Sequence, residues 1–152
     1  MNHLDTFCDP EYWRFQEVRV TGKLLFEKES YLIRGAAYAV YKEMGCGFLE
    51  SVFQECLCIE FRKQSVPFVS QYPLELYYCG EKLKQHYVAD FLCFDRILLE
   101  IKAVREISND HRAQLQNYLR ASRLSLGLLM NFGAFPGLVV ERIAATSPKF
   151  QV

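Results

Sequence analysis

The apolar positions of the chain follow two periods, and the switch between them lays out its elements. Leu32, Ile33, Ala36, Ala37 and Val40 recur at helical spacing within Tyr31 to Lys42, with Ser30 as N-cap. Gly45-Cys46-Gly47 breaks that run. A second helix is predicted from about Phe48 to Lys63, burying Leu49, Val52, Phe53, Cys56 and Leu57 along one stripe. The period then falls to two. Leu74, Leu76 and Tyr78 alternate with Glu75 and Tyr77, and Cys79-Gly80-Glu81 makes a turn. Tyr87 to Lys102 reads as two strands joined by a tight turn at Asp95-Arg96. A third helix, capped by Ser108 or Asn109, runs from about Asp110 to Ala121 toward a strand at Leu126 to Asn131, and Pro136-Gly137 precedes an edge strand near Leu138 to Ile143. This order predicts an α/β (α+β) fold, a mixed central β-sheet flanked by helices.

Three polar residues interrupt the apolar hairpin: Asp90, Glu100 and Lys102. Glu100 and Lys102 stand two apart, so on a strand they share one face with Leu98. Asp90 lies on the partner strand, directly opposite Glu100 if the loop spans an odd number of residues and turned away if it spans two. Two carboxylates on an apolar hairpin repel each other, and burying an unpaired charge is costly. A divalent cation with hard oxygen ligands, Mg²⁺ or Mn²⁺, would neutralise the pair. Lys102 would then orient or deprotonate an attacking water and stabilise charge developing on a phosphate. The ordinary alternative is a salt bridge among the three on a solvated sheet face. Against it, Ile97-Leu98-Leu99 and Ile101 look like a central strand buried on both faces, where a charge is expensive.

Composition narrows the classes. The 152 residues suit one domain, and 51% hydrophobic with 14% aromatic residues argues against disorder. Lys plus Arg equals Asp plus Glu at 18 each, so no global field draws in nucleic acid and any grip on phosphate must be local or metal-mediated. No apolar run reaches the length of a membrane span. The start, Met1 to Asp5, lacks the basic and apolar regions of a signal peptide, so a reducing, cytoplasmic location is expected. The six cysteines, Cys8, Cys46, Cys56, Cys58, Cys79 and Cys93, form no Cys-x-x-Cys pair and are expected to be buried free thiols. His111, in the first turn of the third helix, is expected to be a solvated helix residue rather than a base.

Asp90, followed after nine residues by Glu100-Ile101-Lys102, resembles the signature of the PD-(D/E)XK nuclease superfamily, in which Asp and Glu hold metal and Lys assists hydrolysis. Gly47-Phe-Leu-Glu50-Ser-Val-Phe53 resembles the motif that names the GxxExxY protein family, a branch of that superfamily, with Phe53 in place of the final Tyr. Ala113 to Leu119 and Leu126 to Gly133 look like the closing helix and strand of the same family. The resemblance implies a restriction-endonuclease-like core in residues 30–152, preceded by an N-terminal extension, 1–29, that carries Tyr12, Trp13 and Phe15. It implies a divalent-metal-dependent nuclease acting on DNA or RNA. Asp90, Glu100 and Lys102 would be catalytic, Glu50, Asp90 and Glu100 would be the metal ligands, and Gln114 and Tyr118, four apart on one helix face, would contact substrate. The alternative is a non-catalytic module that keeps the fold to bind nucleic acid or a protein. Some related nucleases carry iron-sulfur clusters, but the cysteines here do not reproduce a cluster spacing. At position 53, three residues after Glu50, a Tyr could set its hydroxyl beside that carboxylate; Phe keeps the ring without the hydrogen bond.

Overall fold

The computed structural model describes residues 19–20 and 23–146. A short antiparallel pair, β1 (Arg19–Val20) and β2 (Lys23–Leu24), leads into helix α1 (Glu27–Met44) and then α2 (Glu50–Lys63). Three antiparallel strands follow, β3 (Phe68–Tyr78), β4 (Glu81–Cys93) and β5 (Ile97–Lys102). Helix α3 (Asn109–Ser122) crosses over to β6 (Leu126–Asn131), which pairs parallel with β5, and β7 (Val139–Ala144) closes the sheet antiparallel to β6. The five strands lie in the order β3-β4-β5-β6-β7, so the sheet is mixed and the expected α+β architecture is observed, with the last strand at an edge. The aromatic cluster at Tyr12, Trp13 and Phe15 lies outside the described residues.

Two apolar layers sandwich the sheet. On one face α1 and α2 bury Ile33, Ala36, Ala37 and Val40, and Phe53, Leu57 and Phe61, against Phe91, Cys93, Ile97, Leu99 and Ile101. On the other, Leu115, Tyr118 and Leu119 of α3 meet Leu74, Leu92, Leu98 and Leu129. β5 and β6 are six-residue runs covered on both sides, as expected of a central parallel pair. A Cβ at Gly127 would lie 2.8 Å from the Leu115 side chain, so glycine lets α3 sit tightly on β6. Arg112 fastens the helix to β7, with Nε and Nη2 each donating to Glu141 at 2.7 Å in a bidentate pair.

Several boundaries differ from expectation, each for a packing reason. Ser30 does not cap α1; it lies inside the helix, buried, with its hydroxyl accepting from Arg142 Nη1 at 2.7 Å. The helix starts earlier because Leu25 and Phe26 already pack on the core, and the Ser30 N–H closes the first turn on the Phe26 carbonyl. Leu32 is 46% exposed and Leu49, the residue preceding α2, is 74% exposed, so neither belongs to the buried stripes. Of the five described cysteines, all free, only Cys93 is fully buried; Cys46 and Cys79 are exposed. The β3–β4 hairpin is far longer than the alternation suggested. It turns at Cys79-Gly80, both with positive φ, and its outer half is exposed on β4 from Glu81 to Val88, where no apolar periodicity is required.

Candidate active site

The β4–β5 loop has three residues, Phe94, Asp95 and Arg96, with Cys93 paired to Ile97. Phe94 and Asp95 hold the positive φ values, 54° and 55°, that let the chain reverse so tightly. The odd count meets the condition for convergence. The ladder runs Cys93↔Ile97, Leu92↔Leu98, Phe91↔Leu99, and its next step would set Asp90 against Glu100. At that step backbone pairing stops. Asp90 Oδ2 instead accepts from the Ile101 N–H at 2.7 Å, so the carboxylate occupies the place of a ladder carbonyl and is fixed to β5.

A slip in strand alternation explains how the Asp90 side chain reaches there. Phe91 and Cys93 face α1 and α2, yet Ala89, of the same parity, packs with the α3 layer, so β4 changes faces at Asp90. The same change occurs on β3, where Phe68 and Tyr72 pack on opposite layers and Gln71 between them takes a φ of 53°. The Gln71 side chain also acts on Asp90, lowering its pKa against the effect of burial. From α2, Gln54 Nε2 donates to the Asp90 carbonyl at 3.0 Å and to Ser70 Oγ at 2.9 Å, bracing the distorted step. Neither glutamine is signalled by the sequence, because a face switch leaves no periodic trace.

Glu100 is buried at 5% exposure and Lys102 is partly buried beside it. Lys102 Nζ lies 3.2 Å from Glu100 Oε1 and donates to Gln114 Oε1 at 2.9 Å; Gln114 Nε2 in turn donates to the Tyr118 hydroxyl at 2.9 Å. Asp90, Glu100, Lys102, Gln114 and Tyr118, expected to act together, are thus brought into one cluster. Glu100 Oε2 is buried and has no hydrogen-bond partner, a costly state for a carboxylate oxygen. Burial, then the charge of Asp90, raises the Glu100 pKa to about 8, against the lowering effect of Lys102. Burial raises that of Asp90 also, opposed by the Ile101 N–H and Lys102. The charge of Asp90 thus discourages ionisation of Glu100, as expected of carboxylates that share one site.

Glu50 is the first residue of α2 and exposed, on the layer opposite α3. Its charge is felt by both Asp90 and Glu100, raising each. Among the described residues, no three of His, Cys, Asp and Glu are gathered tightly enough to hold a metal together. Glu50 therefore borders the carboxylate pair across the site rather than forming a ready-made triad with it. A cavity of about 690 Å³ opens beside Glu50, lined by Cys46 to Ser51, Ala103 to Arg105 and Gly133. Its far wall is fixed by Asn131, buried, whose amide accepts from Val104 N and Gly133 N and donates to the Val104 carbonyl. A Cβ on Gly133 would fall 2.5 Å from the Val104 backbone, so only glycine allows that approach.

Phe53 does not point at the site. It is fully buried, stacked on Phe132 at 4.6 Å between ring centroids and edge-on to Phe48, so a hydroxyl added there would need a partner within the apolar layer. His111 is a capping residue: its Nδ1 accepts from the Ser108 N–H while Ser108 Oγ accepts from the His111 N–H, a reciprocal box at the start of α3. Burial and then Lys102 hold its pKa below the usual value, which keeps Nδ1 free to accept.

A model of the PD-(D/E)XK nuclease superfamily matches residues 27–143. No curated protein matches the chain. Among solved structures, the crystal structure of SSO0001 is similar, with a TM-score of 0.48 and 16% identity over 80% of this chain and 67% of that one. No helix among the described residues is long and apolar enough to cross a membrane.

Proposed function

This chain belongs to the PD-(D/E)XK nuclease superfamily, and we propose that it is a divalent-metal-dependent nuclease that hydrolyses phosphodiester bonds of DNA or RNA at the Asp90, Glu100 and Lys102 cluster. The observation that carries the proposal is the buried, unpartnered Glu100 Oε2 beside a second carboxylate, Asp90, whose charge opposes its ionisation. A donor set of hard, mutually repelling oxygens fits Mg²⁺ or Mn²⁺. Asp90 and Glu100 would hold the cation, with Glu50 as a third acidic group from the rim of the site. Bound there, the cation supplies Lewis acidity toward a phosphate oxygen and lowers the pKa of water. The Gly47 to Phe53 motif supports the GxxExxY branch as the chain's place within the superfamily, with Phe53 as its departure.

The remaining roles belong to the chain's own atoms. Lys102 Nζ, directed by Glu100 on one side and Gln114 on the other, presents a fixed positive charge where charge grows on the phosphate and stands ready to orient the attacking water. Gln114 keeps that ammonium in place by accepting a hydrogen bond from it, and Tyr118 fixes the amide orientation of Gln114 by accepting from Nε2. The Ile101 N–H keeps the Asp90 carboxylate directed across the strand gap. An intact Asp, Glu and Lys set favours this reading over a non-catalytic binding module.

Thermal melting tests the metal site. Mn²⁺ in hundredfold excess over its dissociation constant is expected to stabilise the protein by about 2.7 kcal/mol, and Glu100→Gln to blunt that gain. Equal stabilisation of the two proteins would contradict the assignment.

A further inference from the structure

A second cleft, of about 350 Å³, adjoins the Lys102 cluster and is lined by Tyr87, Asp110, Ala113, Gln114, Asn117 and Tyr118. The five α3 residues fall at the spacing of one helix face, and Tyr87 of β4 closes the other side. Gln114 is a wall common to both sites, because its Oε1 accepts from Lys102 Nζ at 2.9 Å. The Tyr87 ring packs on the nearly buried Tyr118 at 5.1 Å between centroids with the planes tilted by 39°, yet remains 40% exposed.

The lining decides what fits. No Lys, Arg or His lines the cleft, and its one charged residue is Asp110, so a phosphate would be repelled. What the cleft offers is an accessible aromatic ring, an exposed amide in Asn117 and an acceptor-only carboxylate in Asp110. A planar, uncharged group with N–H donors on its edge matches all three. We infer that this cleft receives an unpaired nucleobase, stacked on Tyr87 with its polar edge toward Asp110 and Asn117, and that the substrate is single-stranded or frayed nucleic acid. Bases within a duplex have both faces covered by neighbours and cannot enter a lateral cleft without being unstacked. The phosphate goes to the Lys102 end and the base to the Tyr87 end, with Gln114 between them. That this nucleotide flanks the cleaved phosphate rests on the function proposed above; the base cleft itself rests on Tyr87 and the lining.

Fluorescence anisotropy with a labelled oligonucleotide, single-stranded or annealed as a blunt duplex, tests this in Ca²⁺, with cleavage in Mg²⁺ measured in parallel. The wild type is expected to bind the single strand more tightly. Tyr87→Ala is expected to weaken that binding about 5- to 100-fold, the scale of one lost base stack, while Tyr87→Phe stays close to wild type. In a series of oligonucleotides with one abasic position moved along the strand, one position should weaken the wild type and leave Tyr87→Ala unaffected. Duplex bound as tightly as single strand, or unchanged binding by a folded Tyr87→Ala protein, would overturn the inference even if Mg²⁺-dependent cleavage persisted. Tyr87-dependent single-strand binding with no cleavage in any metal would uphold the base cleft and overturn the hydrolytic reading instead.

Discussion

Lys102→Met is expected to slow phosphodiester cleavage on the order of 10² or more, the usual scale for one acid-base or electrostatic group, while metal-induced stabilisation persists. Met keeps most of the apolar stem and removes only the charge and its donors. The structure makes the loss specific, because Nζ is held between Glu100 Oε1 at 3.2 Å and Gln114 Oε1 at 2.9 Å rather than left to wander in solvent. A lysine serving only as a strut between those two side chains would change folding and leave the chemistry alone. Single-turnover cleavage by a variant whose melting has been checked separates the two, and full-rate cleavage would remove Lys102 from the mechanism.

The second large effect is a pH dependence of stability in metal-free protein. Burial and the neighbouring Asp90 raise the Glu100 carboxyl from 4.5 to about 8. Between those values the folded protein holds a proton that the unfolded chain has released, so the slope of unfolding free energy against pH is negative there. The stabilising proton is fully retained below the unfolded pKa and lost as pH rises through about 8, with a slope of up to about 1.4 kcal/mol per pH unit. Asp90, also raised by burial, contributes in the same sense. Denaturant unfolding in EDTA from pH 5 to 9 should therefore show wild type weakening as the solution becomes alkaline, and Glu100→Gln should flatten the curve. Parallel curves for the two proteins would show that Glu100 is not a strained carboxylate.

The sequence made much of this site legible because its residues obey local rules. Glu100 and Lys102 sit two apart on a strand whose other residues are apolar, whereas the Asp90 register depended on a loop length that the sequence left open and the structure sets at three residues. Gln114 and Tyr118 share a helix face by spacing alone. What stayed hidden depends on long-range packing. The face switch at Gln71 and Asp90 is set by two opposed layers, and Gln54 acts on it from a helix remote in sequence. Tyr87 is half of a ring pair whose partner is 31 residues away, on an exposed stretch of β4 with no alternation to mark it. Ser30 looked like a cap because the chemistry of caps is local, whereas its actual partner, Arg142, lies on β7. Phe53 shares a helical turn with Glu50, but that turn spans the boundary between core and rim.

The central claim, that the Asp90 and Glu100 pair serves metal-dependent hydrolysis, is tested most directly by cleavage itself. Wild type, Asp90→Asn and Glu100→Gln would be incubated with single- and double-stranded DNA and RNA in Mg²⁺, in Mn²⁺ and in EDTA. The account predicts cleavage by wild type in divalent metal, none in EDTA, and a loss on the order of 10² or more in both variants. Cleavage that persists in EDTA, or that survives in both folded variants, would contradict it.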